Sequence, residues 1–170
     1  MATEIERKFL LVDTRWQSEA DAGVLMRQGY LNGAASTHDA SDHEASDYPV
    51  KASVRVRIAG QQANINIKSA TIGITRQEYE YPIPLGDANE MLDALADGPF
   101  IEKTRYHVTY GAHTWEIDVF TGDNQGLVVA EIELSAADEV FKRPDWLGEE
   151  VSDDPRYYNV CLVKHPYKNW

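Results

Sequence analysis

The chain has 170 residues, of which 43% are hydrophobic and 26% are charged, and it carries a formal net charge of −12. This length and composition suit one globular domain with a hydrophobic core. The negative charge argues against a surface for nucleic acid or for an anionic membrane, because such a field repels phosphate groups. One small polyanion, held by metal ions and a local basic cluster, is still compatible with it.

The sequence also bears on location. Its longest apolar runs are far shorter than a membrane span, and its N-terminus lacks the basic and apolar regions of a secretory signal. Cys161 is the only cysteine, which excludes an intrachain disulfide and fits a reducing cytoplasm. We therefore expect a cytoplasmic protein without a membrane partner. The oligomeric state stays open, a homodimer included.

The first predicted strand spans residues 3–11, and its side chains alternate between two faces. Glu4, Glu6 and Lys8 share one face, whereas the other face is largely apolar. Two carboxylates and an ammonium in a row can hold a hard divalent cation beside a polyanion. A single row of this kind is most simply a solvated strand face, but the charged alternation returns in later segments.

Seven more strands are predicted by alternation, at residues 25–31, 54–58, 64–68, 75–83, 101–110, 114–121 and 127–134. Gly29 marks a bulge or a close backbone approach within the second strand. Residues 32–49 contain no large aliphatic side chain and predict a flexible loop. The loop's residues His38, Asp39, Asp42, His43 and Glu44 have metal-ligating side chains, but without a scaffold they indicate a solvated acidic loop.

Several helices are predicted between and after the strands. A short one is expected at residues 15–22, and a longer one at 87–96, where Asp87 is the N-cap and Glu90 completes a capping box. Gly98 and Pro99 are expected to end it. Its apolar stripe would cover the outside of the sheet and comprises Ala88, Met91, Leu92 and Leu95. A polar helical stretch is expected at 144–148, and a helical tail at about 155–164.

Eight strands with short connections predict an antiparallel sheet closed into a barrel, since closure removes exposed edges. Either apolar faces fill the barrel, or charges line a wet tunnel while apolar faces pack outward under helices. The charged faces carry the acidic pairs Glu4/Glu6, Glu78/Glu80, Glu116/Asp118 and Glu131/Glu133, and the basic residues Lys8, Arg55, Arg57, Lys68, Arg76, Lys103 and Arg105. A barrel filled with apolar side chains would not need covering helices. The pattern favours a mostly β fold of the α+β class, an eight-stranded antiparallel β-barrel that forms a charged tunnel, with helices packed outside.

These segments resemble the CYTH domain family, also called triphosphate tunnel metalloenzymes. Residues 4–8 look like the family's Glu-x-Glu-x-Lys signature, and the resemblance extends in order over nearly the whole chain. The later motifs are Arg-Gln-Gly-Tyr-Leu at 27–31, Val-Arg-Val-Arg at 54–57, Ile-Lys at 67–68, Glu-Tyr-Glu at 78–80, Glu-Lys-Thr-Arg-Tyr at 102–106, Trp-Glu-Ile-Asp at 115–118 and Ala-Glu-Ile-Glu-Leu at 130–134. Segments 144–148 and 154–159 are similar to the short, stand-alone bacterial members.

The resemblance implies a single CYTH-type tunnel domain over residues 1–170 that acts on triphosphate groups with Mg²⁺ or Mn²⁺. By resemblance, the phosphate oxygens are bound by Lys8, Arg55, Arg57, Lys68, Lys103 and Arg105. Arginine forks and lysine charges suit phosphate, and carboxylate oxygens suit these metals. The metal ligands expected first are Glu4, Glu6 and Glu133. Further or supporting candidates are Glu131, Glu78, Glu80, Glu116 and Asp118.

A catalytic pair is also implied by the resemblance. In short bacterial members a Lys-Tyr pair has been proposed to assist activation of the attacking water, and Lys8 and Tyr30 match its positions. The neighbouring cations are expected to lower the pKa of Lys8 toward a useful value. The simpler interpretation of Tyr30 is a packed aromatic whose hydroxyl orients Lys8.

The expected function is metal-dependent hydrolysis of inorganic tripolyphosphate, with nucleoside triphosphates as weaker substrates because the aromatic residues of several strands face away from the tunnel. An adenylate cyclase making cyclic AMP from ATP, or a thiamine triphosphatase, would use the same charged residues. A non-catalytic polyphosphate or nucleotide sensor would not need the acidic set. A carrier of apolar ligands would need apolar inward faces, and it fails if Arg55 and Arg57 line the lumen.

Three histidines show no spacing typical of metal ligands, namely His107, His113 and His165. His107 shares the charged face of its strand with Lys103 and Arg105. A surface or supporting role is expected for all three.

Overall fold

The computed structural model describes residues 2–32, 51–71 and 73–170. Apart from Asn32, the loop predicted at 32–49 lies outside these residues. Eight antiparallel strands form a closed ring in the order β1-β5-β4-β3-β2-β6-β7-β8 and back to β1. The strands are β1 (Ala2–Leu11), β2 (Val24–Tyr30), β3 (Ala52–Ala59), β4 (Gln62–Ser69), β5 (Thr75–Pro82), β6 (Asp97–Tyr110), β7 (His113–Phe120) and β8 (Val128–Glu133). The predicted barrel is therefore confirmed.

The strand register shows which faces point inward. Glu6 lies opposite Glu133 and Lys8 opposite Glu131 where β1 pairs with β8, and Glu4 lies opposite Arg76 where β1 pairs with β5. The charged faces of neighbouring strands thus form one continuous surface, which lines the interior cavity. Charges line the inside of this barrel, as the sequence pattern favoured.

The outward faces are covered by apolar packing. One cluster lies outside β1, β7 and β8, where the indole of Trp115 makes edge contacts with Phe9 and Trp146 at ring-centroid distances of 5.7 Å. A second lies under helix α1 (Leu85–Leu95), where Ala88 and Leu92 are buried. Burial of a large apolar side chain such as that of Leu92 stabilises the barrel by roughly 1.5–3 kcal/mol.

Helix α1 packs closely over Gly29. A Cβ at this position would lie 2.9 Å from a Leu92 methyl and 3.0 Å from the Ala96 Cβ, closer than a packed interior tolerates. The register between β2 and β6 also shifts between Gln28 and Tyr30. Both expectations for this glycine, a bulge and a close approach, are therefore confirmed.

Two details of the predicted long helix are wrong. The helix begins at Leu85, after Pro84, whose φ of −56° already suits a helix start, and no side-chain cap bond is made. Asp87 consequently lies inside the first turn. Gly98 and Pro99 belong to β6, so the helix ends before them, and Leu95 is 58% exposed rather than part of the buried stripe.

The other predicted helices are shorter than expected. Residues Arg15–Ser18 form a single 3₁₀ turn, and the polar stretch at 144–148 is a turn that leads into a ninth strand, β9 (Leu147–Glu150). β5 pairs with β1 only at residues 2–5, and β9 pairs with the remainder of that edge at Phe9 and Leu11. The unpaired edge of β1 therefore explains why β9 forms, although the sequence of its four residues does not predict a strand.

The C-terminal segment closes one end of the barrel. It contains the 3₁₀ turn Pro155–Tyr157 and the short helix α2 (Asn159–Leu162). Leu162 and Val163 pack against an apolar layer made by Tyr30, Ile101, Phe120, Leu127 and Val129. No helix among the described residues is long and apolar enough to cross a membrane.

The loop after β8 provides a prediction about acid stability. Glu139 accepts hydrogen bonds from the hydroxyl and the backbone N–H of Ser135 and contacts the His113 ring at 2.8 Å. These partners, Ser135 first, lower the pKa of Glu139 to about 2. A lowered folded-state pKa contributes stability that is present above the unfolded pKa of 4.5 and is lost as the pH falls through about 2.

Replacing Glu139 with glutamine is therefore expected to lower the melting temperature at pH 6, with a difference from the wild type that shrinks between pH 4.5 and pH 2. Thermal melts of both proteins across this range measure it. Glu149→Gln, which changes a charge outside these contacts, is the control. A difference that does not change with pH would contradict the assignment.

Candidate functional site

The interior of the barrel encloses a cavity of about 470 Å³. It is lined by Glu4, Glu6, Lys8, Tyr30, Ser53, Arg55, Arg57, Lys68, Ser69, Ala70, Thr71, Arg76, Glu78, Glu80, Arg105, Glu116, Glu131, Glu133, Tyr158, Asn159 and Val160. Twelve of the predicted charged site residues are in this set, and so is Tyr30. Because Arg55 and Arg57 line the lumen, the carrier of apolar ligands is excluded.

Two predicted site residues lie behind the cavity wall. Lys103 and Asp118 are 1% and 0% exposed, and the Lys103 ammonium donates to the Asp118 carboxylate. Burial and the neighbouring Arg105 lower the pKa of Lys103 to about 8. Lys103 lies opposite Phe120 across the β6–β7 pair, where the interior becomes apolar. The structure thus brings this lysine beside the cavity rather than into its lining.

A buried ion network connects that layer with the cavity. The Arg105 guanidinium donates to both oxygens of Asp118, with Nε–Oδ1 2.7 Å and Nη2–Oδ2 2.6 Å, and to Glu131 at 2.6 Å. Glu131 also accepts from Lys8. Burial raises the pKa of Asp118, but Arg105 and Lys103 outweigh it and hold the pKa below its usual value. The network fixes Arg105 and Lys8 in position.

The carboxylates at one wall are more crowded. Glu4 accepts from the Lys68 ammonium at 2.8 Å, and Lys68 also lies 3.2 Å from Glu78. Burial, with the nearby charges of Glu6 and Glu78, nevertheless raises the pKa of Glu4 to about 7. Lys68, acting against burial, lowers the pKa of Glu78 to about 2. Burial is the largest cause of the raised pKa of Glu4, and an added cation beside this residue would favour the charged carboxylate.

The donor set at this wall fits a hard divalent metal. Glu6 and Glu133 are cross-strand partners, and both line the cavity. Glu133 makes no hydrogen bond or ion pair with a described residue, and Glu6 lies 3.7 Å from Lys8 and 3.6 Å from Arg76. Within the described residues, no three acidic, histidine or cysteine side chains converge on one point. The fit to a hard divalent metal therefore rests on the chemistry of the carboxylate oxygens that line the cavity.

The expectation for the pKa of Lys8 is wrong. Burial lowers this pKa, but Glu131 and Glu6 outweigh burial and raise it above the ordinary lysine value. The lysine faces carboxylates, not the cations that the sequence argument assumed. The pKa of Tyr30 is also raised, chiefly by burial. Tyr30 lies opposite Arg55 in the β2–β3 pair, and no hydrogen bond joins it to Lys8 among the residues described. With raised pKa values, neither group is prepared to act as a base.

Eight cavity residues were not assigned a role from the sequence, and Arg76, Tyr158 and Asn159 are among them. Arg76 was counted among the inward charges without a function, although it lies 3.6 Å from Glu6 and its guanidinium lies 5.3 Å from the Tyr158 ring centroid. Tyr158 and Asn159 belong to the C-terminal segment, which no periodicity connects to the barrel. For Arg76 the signal was present, since it shares a face with Glu78 and Glu80.

His107 lies at the edge of the site. Its Nδ1 contacts Asp21 at 2.8 Å, and its Nε2 lies 3.9 Å from Glu116. The ring is partly exposed and is not in the cavity lining. The expected supporting position is therefore found for this histidine.

Comparisons with known proteins agree with this geometry. The profile of the CYTH domain family matches residues 2–158. An inorganic triphosphatase of Acetivibrio thermocellus is 46% identical over 170 residues, with 100% of this chain and 99% of that protein covered. An inorganic triphosphatase of Nitrosomonas europaea is 37% identical over 164 residues, covering 95% and 97% of the two chains. A crystal structure of an inorganic triphosphatase, 34% identical, superposes with a TM-score of 0.62 over 96% of this chain and 95% of that one. The closed charged barrel and these matches together place the chain in the CYTH domain family.

Proposed function

We propose that this protein is a metal-dependent inorganic triphosphatase that releases phosphate from tripolyphosphate inside its barrel. The observation that carries the proposal is the cavity inside the barrel, in which a basic wall faces a carboxylate pair. The relatives at 46% and 37% identity are both inorganic triphosphatases, which supports the same activity here.

The basic residues would bind and orient the phosphate chain. The side chains of Arg55 and Arg57 both point into the cavity from β3, and Lys68 extends this basic surface on the neighbouring β4. The Arg57 guanidinium donates to Glu80 at 2.7 Å, and the Lys68 ammonium donates to Glu4. A triphosphate would replace these carboxylates as the partner of each cation. The barrel can therefore bind a polyanion without leaving these cations buried and unpaired.

The carboxylates Glu4, Glu6 and Glu133 would hold Mg²⁺ or Mn²⁺. When bound, the metal supplies a Lewis acid that neutralises phosphate charge. Lys8, which Glu131 holds in the cavity wall, would then place its positive charge on a phosphate oxygen. We assign Glu131 and Asp118 to the positioning of cations, because Lys8, Lys103 and Arg105 already occupy their oxygens.

A bare triphosphate fits the cavity better than a nucleotide does. Two aromatic side chains line it, but both are already engaged. The Tyr158 ring lies beside Arg76 and its hydroxyl donates to the Ser152 carbonyl at 2.7 Å, while Tyr30 is buried beside Arg55. Neither offers a free face on which a base could stack. We therefore propose recognition through the phosphates, with ATP as a weaker substrate.

The central test measures phosphate release from tripolyphosphate and from ATP with Mg²⁺, with Mn²⁺ and with EDTA. Turnover of tripolyphosphate is expected to exceed that of ATP and to vanish in EDTA, because both substrate and carboxylates need the cation. Cyclic AMP formed from ATP without phosphate release would instead indicate a cyclase. Binding of tripolyphosphate without turnover in any metal would indicate a sensor and contradict the proposal.

The organisation as one tunnel domain with a C-terminal tail belongs to the same proposal. So does a cytoplasmic location, which the single cysteine favours.

A further inference from the structure

Gln28 is the buried polar side chain that the proposed reaction does not use. It lies in β2, within the Arg-Gln-Gly-Tyr-Leu stretch, and it is 0% exposed. Neither its Oε1 nor its Nε2 has a hydrogen-bond partner among the described residues. Buried amides are nearly always satisfied in folded proteins, so a fully unpartnered one calls for an explanation.

The side chain points toward the interior of the barrel. The neighbouring Gly29 faces outward, since a Cβ there would meet Leu92 of α1, and side chains alternate along a strand. Tyr30, two residues on, lines the cavity. Gln28 also lies directly opposite Arg57 in the β2–β3 pair, and the Arg57 side chain lines the cavity too. The amide is therefore one layer behind the wall that would meet the substrate.

Other hydrogen-bonding atoms on this wall are unpartnered as well. Arg55 Nε, Arg57 Nε and Asn66 Oδ1 are buried without a partner among the residues described. Asn66 lies opposite Arg55 on the next strand, so these atoms form one patch across β2, β3 and β4. A patch of donors and acceptors facing inward is matched by a polar occupant of the cavity, not by the protein itself.

We propose that Gln28 is a positioning residue for the substrate, whose side-chain carbonyl accepts from the Arg57 Nε–H when Arg57 turns from Glu80 to bound triphosphate. The Arg57 Nη2 donates to Glu80 at 2.7 Å. As Arg57 turns toward an anion in the cavity, its Nε–H, which has no partner among the described residues, donates to the Gln28 carbonyl. A neutral amide suits this place because Arg55, Arg57 and Arg105 already repel one another. Burial is the largest cause of the lowered pKa of Arg57, and Arg55 and Arg105 lower it further.

This inference rests on the proposed function, and one pair of measurements separates the two. Gln28→Met keeps the length of the side chain and removes its hydrogen-bonding atoms. The melting temperature of the ligand-free variant is expected to equal or exceed that of the wild type, because no protein hydrogen bond is lost. Its affinity for tripolyphosphate, measured by calorimetry in EDTA so that no turnover occurs, is expected to fall about tenfold or more.

Met26→Leu is the matched control, since Met26 is buried on the same face of β2. It is expected to keep the wild-type affinity. Unchanged affinity in Gln28→Met, or an equal loss in Met26→Leu, would overturn the proposal. A lower melting temperature of ligand-free Gln28→Met would also overturn it, because the amide would then have a structural partner such as a buried water. If the wild type binds tripolyphosphate but shows no metal-dependent turnover, the proposed triphosphatase activity is refuted. The same titration still tests the role of Gln28.

Discussion

Replacing Asp118 with asparagine is expected to lower the free energy of unfolding by about 3–5 kcal/mol, the usual cost of breaking a buried ion pair from one side. Asp118 is fully buried and accepts from Lys103 and from two nitrogens of Arg105. An asparagine keeps one acceptor oxygen but removes the charge. Arg105 would keep Glu131 as a buried anionic partner, whereas Lys103 would have no carboxylate bonded to it among the described residues.

Urea denaturation of the two proteins measures this difference. Glu116→Gln is the matched control, because Glu116 lies on the same strand and pairs with the same Arg105, but its side chain is 39% exposed. Glu116→Gln is expected to lower the free energy of unfolding by about 1 kcal/mol or less, since exposed ion pairs contribute little. Equal effects of the two substitutions would show that burial of the Asp118 pair is not what stabilises the barrel.

The result also bears on the assignment of Asp118. A metal ligand is expected to affect activity more than the stability of the metal-free protein, whereas a counterion of buried lysine and arginine affects stability first. A large loss of stability measured in EDTA would therefore support the positioning role that we propose for this residue.

The inward charge of the barrel was predictable from the sequence because strand alternation is a local property. Glu4, Glu6 and Lys8 share a face whatever the rest of the chain does. The depth of each residue was not predictable in the same way. Lys103 and Arg105 are equivalent in the pattern, but only Arg105 reaches the cavity, because strand register places Lys103 opposite Phe120.

The C-terminal half of the site depends on contacts that no local pattern contains. β9 forms because β5 leaves part of the β1 edge unpaired. Tyr158 and Asn159 reach the cavity because the segment that follows β9 folds over one end of the barrel. The pKa of Lys8 was not predictable for the same reason, since its rise depends on Glu131, which lies on a strand far away in sequence.

Replacing Glu133 with glutamine is expected to lower kcat/KM for tripolyphosphate roughly 100-fold or more, because a metal ligand contributes several kcal/mol to stabilisation of the transition state. Glu133 is suited to this test because it makes no hydrogen bond or ion pair with the described residues. It lies across from Glu6 and lines the cavity. A residue with this position and no internal partner contributes little to the stability of the metal-free fold, so thermal stability in EDTA is expected to stay unchanged.

The dependence of activity on metal concentration distinguishes a ligand from a merely nearby charge. If Glu133 holds the cation, the variant needs higher Mg²⁺ or Mn²⁺ for half-maximal activity, since one of its carboxylate oxygens has been replaced by an amide. Glu102→Gln removes the same charge from an exposed position on the outward face of β6 and is expected to behave as the wild type. Wild-type turnover at wild-type metal concentrations in Glu133→Gln would remove this residue from the metal site and leave Glu4 and Glu6 as the carboxylates to test next.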